Sequence, residues 1–347
     1  MTDLRTPLAR QLGIDYPIFS AGVASAAVPE LAAAVSNAGG LGVVGASAYQ
    51  PARIKGLIES TRKLTQKPFG LNFIIDDRYQ SAGAIQETRQ QVKAEIVERP
   101  AVLVLFWGGA GPYVEAAHEF GVTLMIQVGS VEEAKAAAHA GVDAVIAQGV
   151  EAGGHVRGTT SIWTLLPNAV EAIQPVPVLA SGGIADGAGI ARALQLGAQG
   201  VSLGTRFLAS DEGNAHPSYK QRVVESTAAD TVLLDDLFDL GWPQAPHRVL
   251  RNRIYDEWVA AGRPPSGKRP GEGTSIGKRR TSDGQLREWR RYAIGTATRD
   301  FEGDLEDAPL WAGESCSAIN DIRPAGDIVR DLAREASKII SREGAPA

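Results

Sequence analysis

The 347-residue sequence predicts an α/β fold: a (β/α)₈ TIM barrel with an inserted, mainly helical second domain. Three observations carry this. Eight short apolar runs punctuate the first two-thirds of the chain, each suited to a parallel strand buried on both faces. Ala-rich stretches with helical spacing separate them, and small residues stand at most strand C-termini. A doubly wound sheet would normally place GxGxxG after its first strand, whereas here that strand runs into Ser20-Ala-Gly-Val-Ala-Ser25.

The elements follow in order. Residues 17–22, 41–46, 69–75, 102–108, 123–129, 144–149, 177–183 and 200–207 are the eight candidate strands. Stretches such as 29–38, 131–140 and 187–196 read as the helices between them. Gly39, Gly40, Gly141 and Gly197 stand where a helix calls for a left-handed C-cap. Ser130, ahead of Val131-Glu132-Glu133, reads as an N-cap with acids in the first turn. Residues 324–342 form an amphipathic helix able to close the outer ring. The barrel is thus assigned to 1–211 and 301–347, and the helical cap or substrate domain to 212–300. That insertion holds Trp242, Trp258 and Trp289, a Pro/Gly-rich stretch at 263–273 and dense basic residues from Lys278 to Arg291. Because acids are interspersed, the basic run reads as a solvated face of small helices.

Composition bounds the partners. Apolar content of 44% and charged content of 22% describe a globular protein with a sizeable core. A net charge of −5 argues against nucleic acid or an anionic membrane as the main partner. Cys316 is the single cysteine, so no intramolecular disulfide can form, which fits a reducing cytoplasm. The five histidines show no metal-ligand spacing, and no metal is expected. The N-terminus lacks a signal-peptide run, and a cytoplasmic location is expected.

The chemistry concentrates after the sixth strand, where Glu151-Ala152-Gly153-Gly154-His155 follows an apolar run directly. Two glycines let a flat ligand approach the backbone. The histidine adds an imidazole of pKa about 6.5, suited to proton transfer. Two further loops suit a phosphate: Ser181-Gly182-Gly183-Ile184 after the seventh strand and Gly204-Thr205-Arg206 after the eighth. Barrel enzymes often bind phosphate between these loops through backbone N–H groups, and Ser181 and Thr205 add hydroxyls. Asn72, Gln127 and Gln148 place amides near the ends of strands three, five and six. Each either makes a structural hydrogen bond or offers donor and acceptor to the edge of a heterocycle.

These pieces, with Leu12-Gly-Ile-Asp-Tyr-Pro-Ile18, Gly70-Leu-Asn72 and Leu203-Gly-Thr-Arg-Phe207, resemble the nitronate monooxygenase (2-nitropropane dioxygenase) family of barrels. The resemblance covers roughly 5–211 and returns near 310–336, and it is shared with FMN-dependent enoyl-acyl-carrier-protein reductases. It implies an FMN cofactor bordered by Gly22, Asn72, Gln127, Gln148, Ala152 and Gly153. Its phosphate would be held by Ser181, Gly182, Gly183, Gly204 and Thr205. It also implies that His155 removes the α-proton of a neutral nitroalkane. Three departures bear on reactivity: Ser20-Ala-Gly-Val-Ala24 replaces a Pro-Met pair, Gln127 a lysine, and Gly313-Glu314-Ser315 a Gly-Gln-Ser.

The reading is FMN-dependent oxidation of alkyl nitronates or nitroalkanes by O2, with a small-molecule substrate. A homodimer is compatible with it. Two alternatives stay open: an NAD(P)H-dependent flavin reductase acting on an enoyl thioester or quinone, and a non-redox phosphate-binding lyase or isomerase.

Overall fold

The computed structural model describes residues 3–343 apart from 48, 50, 77, 79–81 and 282–283. The apolar runs form parallel strands β1 (Ile18–Ser20), β2 (Gly42–Gly45), β3 (Phe69–Ile74), β4 (Val102–Phe106), β5 (Thr123–Val128) and β6 (Ala144–Gln148). After a two-residue strand, β7 (Gly154–His155), come β8 (Val178–Ser181) and β9 (Gly200–Leu203). The expected seventh and eighth strands are therefore β8 and β9. Hydrogen bonding runs β1-β9-β8-β6-β5-β4-β3-β2, and a parallel bridge from Phe19 to Leu41 closes the ring. The eight-stranded barrel expected from the sequence is what forms.

Strand pleating explains the continuous apolar runs. Val102, Val104, Met125, Ile146 and Leu179 fill the barrel interior, and Leu8, Ala9 and Leu12 of α1 (Pro7–Leu12) share that cluster. Their alternates Leu103, Leu105, Leu124, Val145 and Val178 pack outward beneath the helices. Both faces are buried, so both positions of the period-two pattern are apolar.

The outer ring comprises α2 (Pro29–Asn37), α3 (Pro51–Leu64), α4 (Ala82–Val97), α5 (Gly111–Glu119), α6 (Val131–Ala140), α7 (Ile162–Ile173) and α8 (Gly187–Gln195). Ser130 Oγ accepts the Glu133 N–H at 3.1 Å, and Gly141 caps α6 at φ +95°. Gly204 ends β9, and α9 (Thr205–Leu208) follows at once, four residues earlier than the apolar run alone suggests. The last helix lies between α8 and α2 and completes the ring.

The segment 212–300 departs from the expected mainly helical composition. It contains α10 (Pro217–Val224), β10 (Thr231–Leu234), β11 (His247–Leu250), α11 (Arg253–Ala260), β12 (Ser275–Arg280) and β13 (Leu286–Arg290). With β14 (Glu302–Gly303), these strands build two three-stranded antiparallel sheets, β10-β11-β7 and β13-β12-β14. The basic run is a hairpin rather than a helical face. In β12, Ile276 is buried while Ser275, Lys278 and Arg280 are exposed. β11 with β7 and β12 with β14 pair segments distant in the chain, and such pairing leaves no local signature. The chain then finishes in α12 (Ala325–Glu343).

Candidate active site

The C-terminal ends of the barrel strands surround a cavity of about 430 Å³. This is within the usual range of ligand pockets. All twelve residues singled out from sequence line it: Gly22, Asn72, Gln127, Gln148, Ala152, Gly153, His155, Ser181, Gly182, Gly183, Gly204 and Thr205. Phe19, Val43, Val104 and Ile146 supply apolar lining from inside the barrel.

One end is built from backbone. Gly182 and Gly183 adopt φ +91° and +72°, a left-handed pair that a side chain would strain. Gly204 and Thr205 directly follow β9, the strand paired with β8. Thr205 Oγ1 accepts the Gly313 N–H at 3.0 Å, leaving its O–H free to donate. Arg206 is not part of this end. It is buried, donates to Asp321 Oδ1 at 2.9 Å and to the Asp321 and Ala209 carbonyls, and so ties the strand end to the C-terminal segment.

The amides divide. Asn72 donates to the Val104 carbonyl at 3.1 Å, and Gly22 lies so close that a Cβ there would be 2.2 Å from Asn72 Cβ. Gln148 is engaged at both ends, donating to the His155 carbonyl and accepting the Arg157 N–H, each at 2.9 Å. It shapes the loop carrying the histidine. Gln127 makes no side-chain hydrogen bond among the described residues, so its amide is uncommitted.

The opposite end is aromatic. β7 pairs with β11, placing His155 opposite His247 in the ladder. Trp242 lies over the His155 ring with centroids 4.0 Å apart, and Trp311 is 5.4 Å away. Trp107 meets both His155 and Trp242 edge-on. It holds φ +66°, a backbone strain of about 1–3 kcal/mol for a bulky residue beside a site. Trp242 Nε1 donates to Asp76 Oδ2 at 2.6 Å, and Arg78 pairs with the same carboxylate at 2.7 Å. Burial pushes the Asp76 pKa upward, but the hydrogen bonds from Arg78 and Trp242 outweigh it and hold it below the usual carboxylate range.

His155 Nε2 is closed to solvent and has no hydrogen-bond partner among the described residues. Burial lowers the His155 pKa well below its ordinary value, His247 adds to this, and Asp76 opposes it. The imidazole is therefore neutral at pH 7 and keeps its acceptor capacity. Glu151, its neighbour in sequence, turns away and accepts the first N–H of α7, from Ile162, at 3.0 Å. His247 is fixed as a neutral ring: Nδ1 donates to the Ala245 carbonyl at 2.9 Å and Nε2 accepts the Phe238 N–H at 3.2 Å. Trp107, His247, Trp311 and Asp76 were not identified from sequence. They stand at scattered positions without a common spacing.

These residues fit the flavin mononucleotide that the resemblance implies. The glycine pair and the Thr205 hydroxyl suit a phosphate. The apolar lining with Asn72 and the uncommitted Gln127 suits a polar-edged ring, and His155 lines the same cavity.

The comparisons agree. A sequence profile of the nitronate monooxygenase family matches residues 5–335. The nitronate monooxygenase of Pseudomonas aeruginosa is 32% identical over 96% of this chain and 99% of its own. FabK from Thermotoga maritima superposes with a TM-score of 0.76 at 32% identity, covering 98% of each chain. Nitroalkane oxidase from Streptomyces ansochromogenes does so at 0.75 and 26%, covering 97% of this chain and all of the other. The chain belongs to the nitronate monooxygenase family and is an FMN-dependent oxidoreductase.

Proposed function

We propose that this enzyme oxidises alkyl nitronates, and neutral nitroalkanes through their nitronates, with O2. The observation that carries this reading is His155: a neutral, unpaired imidazole stacked under Trp242 at the edge of the cavity. A buried nitrogen without a partner costs free energy that a substrate contact recovers. FMN, bound with its phosphate at Ser181–Gly183 and Gly204–Thr205, would supply the electron-accepting chemistry. The protein's own contribution is to orient the substrate, exclude water and move one proton. His155 takes the α-proton of a neutral nitroalkane onto its imidazole, leaving the nitronate anion, and for a preformed nitronate it only positions the substrate. Segment 212–300 serves as a cap, its Trp242 forming one wall of the substrate pocket.

The decisive experiment compares two substrates in His155→Ala. Turnover of neutral nitroalkane is expected to fall about a hundredfold to ten-thousandfold, with flavin content retained and a much smaller loss on nitronate. Equal losses on both would remove His155 from the role of base.

The likeness to FabK favours one second reading, an NAD(P)H-dependent flavin reductase of an enoyl thioester or quinone. Flavin bleaching by NADH or NADPH under argon would support it, and bleaching only by nitronate would support the monooxygenase. The non-redox alternative falls with the family assignment.

A further inference from the structure

A cation on the cap side of the cavity has no role in the chemistry above. Arg279 of β12 lines the cavity and is part-buried. Its guanidinium lies 4.9 Å from the centroid of the buried Trp289 ring and donates to the Ile294 carbonyl at 3.3 Å. A Cβ on Gly295 would come within 2.8 Å of Arg279 Cζ, so the head is held in a close-fitting bed. Among the described residues no carboxylate lies within ion-pair distance of it. The next residue, Arg280, is satisfied by Asp300 at 2.8 Å and the Gly284 carbonyl at 2.7 Å. Arg53 of α3 adds to the same field, lying 4.9 Å from the ring centroid of Tyr49, itself a cavity residue.

Removal from water costs a charged group free energy, and an arginine keeps its charge when buried. An unpaired, part-buried guanidinium at a cavity wall is therefore stabilised by an anion entering that cavity. Its position says where on the ligand that anion lies. The turn after β12 reaches the β2 side of the mouth: a Cβ on Gly284 would lie 2.8 Å from Arg53 Nη1, and Arg53 lies over Tyr49, which follows β2. His155 follows β6. The His155 ring meets Trp107 and Trp311, and Trp311 Nε1 donates to the carbonyl of Gly295, the residue against which the Arg279 head packs, so Trp311 stands between the base and the cation. The phosphate end, after β8 and β9, is distinct from both.

We propose that Arg279 recognises an anionic group of the substrate, a carboxylate or a phosphate monoester, carried on a different atom from the carbon that His155 deprotonates. This inference rests on the nitronate reading above for the identity of that carbon. Neutral short nitroalkanes would then be minimal substrates, and the preferred ones would reach past Trp311 with a charged tail.

The test uses the FMN-loaded enzyme, an uncharged alkyl nitronate, and its ω-carboxylate and ω-phosphate analogues of matched chain length. The wild type should prefer one anionic probe in kcat/KM, and the larger preference identifies carboxylate or phosphate. Arg279→Gln should collapse that preference about tenfold to a hundredfold, the usual effect of losing a hydrogen bond to a charged group. Arg279→Lys should restore part of it. In parallel, equilibrium titration with an unreactive alkyl carboxylate and alkyl phosphate, followed by flavin absorbance, should show the same loss of affinity. A wild type indifferent to tail charge, or an unchanged preference in Arg279→Gln, would overturn the proposal. Colourless Arg279→Gln protein would assign the residue to the cofactor and overturn it too. If the wild type turns over no nitronate, the nitronate reading fails alone, and the titration still decides whether Arg279 binds an anionic tail.

Discussion

The two ends of the cavity are made by different means. The glycine end draws on two loops at neighbouring strand ends, Ser181–Gly183 and Gly204–Thr205, and works through backbone turned by positive φ at Gly182 and Gly183. The aromatic end gathers His155, Trp107, Trp242, His247 and Trp311 from the barrel, the segment after it and the chain's return. A backbone cradle of this kind is written in a few consecutive residues. The environment of the buried His155 imidazole is assembled over long sequence distances. The first should fail completely on one substitution, whereas the second should weaken by degrees.

Gly183→Leu tests the first statement and carries the largest expected effect. The residue would sit at φ +72°, with its Cβ 3.1 Å from Glu151 Cβ, and the left-handed conformation alone costs about 1–2 kcal/mol. The branched side chain should also occupy space where a phosphate approaches. The variant is expected to purify folded and colourless, judged by circular dichroism and the flavin absorbance bands. Full flavin occupancy would place the phosphate elsewhere.

Trp242→Phe tests the second and should cost less. The change removes the hydrogen bond to Asp76 and part of the ring over His155. A lost aromatic contact of about 0.5–1.5 kcal/mol corresponds to a rise in KM of about twofold to tenfold, with FMN content unchanged. Unaltered steady-state kinetics together with a changed oligomeric state would make the segment an assembly element instead of a cap.

The same contrast explains what the sequence revealed. The barrel was legible because each strand is buried on both faces and reads as an unbroken apolar run. The glycine loops, Asn72 and His155 were legible because each directly ends or interrupts such a run. Segment 212–300 does not read as strands because β11 is ordered by pairing with the distant β7, and β12 is paired on its other edge by the distant β14. Gln148 lines the cavity, but its engagement with the His155 loop depends on a fold-back that no spacing predicts. Asp76 escaped notice because its role comes through Trp242, far along the chain.

The smallest effect, and the finest test of the aromatic end, is a pH profile. His155 is held neutral by burial and by His247, against the opposing pull of Asp76. The acid limb of kcat/KM on neutral nitroalkane should therefore lie below the ordinary histidine value of about 6.5. Asp76→Asn leaves an oxygen for Trp242 Nε1 but removes the negative charge, so the limb should move lower still. The sign for stability runs in parallel. Between the folded value and about 6.5 the unfolded chain binds a proton that the folded protein refuses, so stability falls as pH drops through that window and is level above it. Burial lowers the His247 pKa as well, adding to the same slope. Steady-state kinetics of both proteins from pH 5 to 8, with a nitronate control, would measure the limb. A limb at or above the ordinary value, or one that rises in Asp76→Asn, would show that the imidazole is not held neutral by its surroundings.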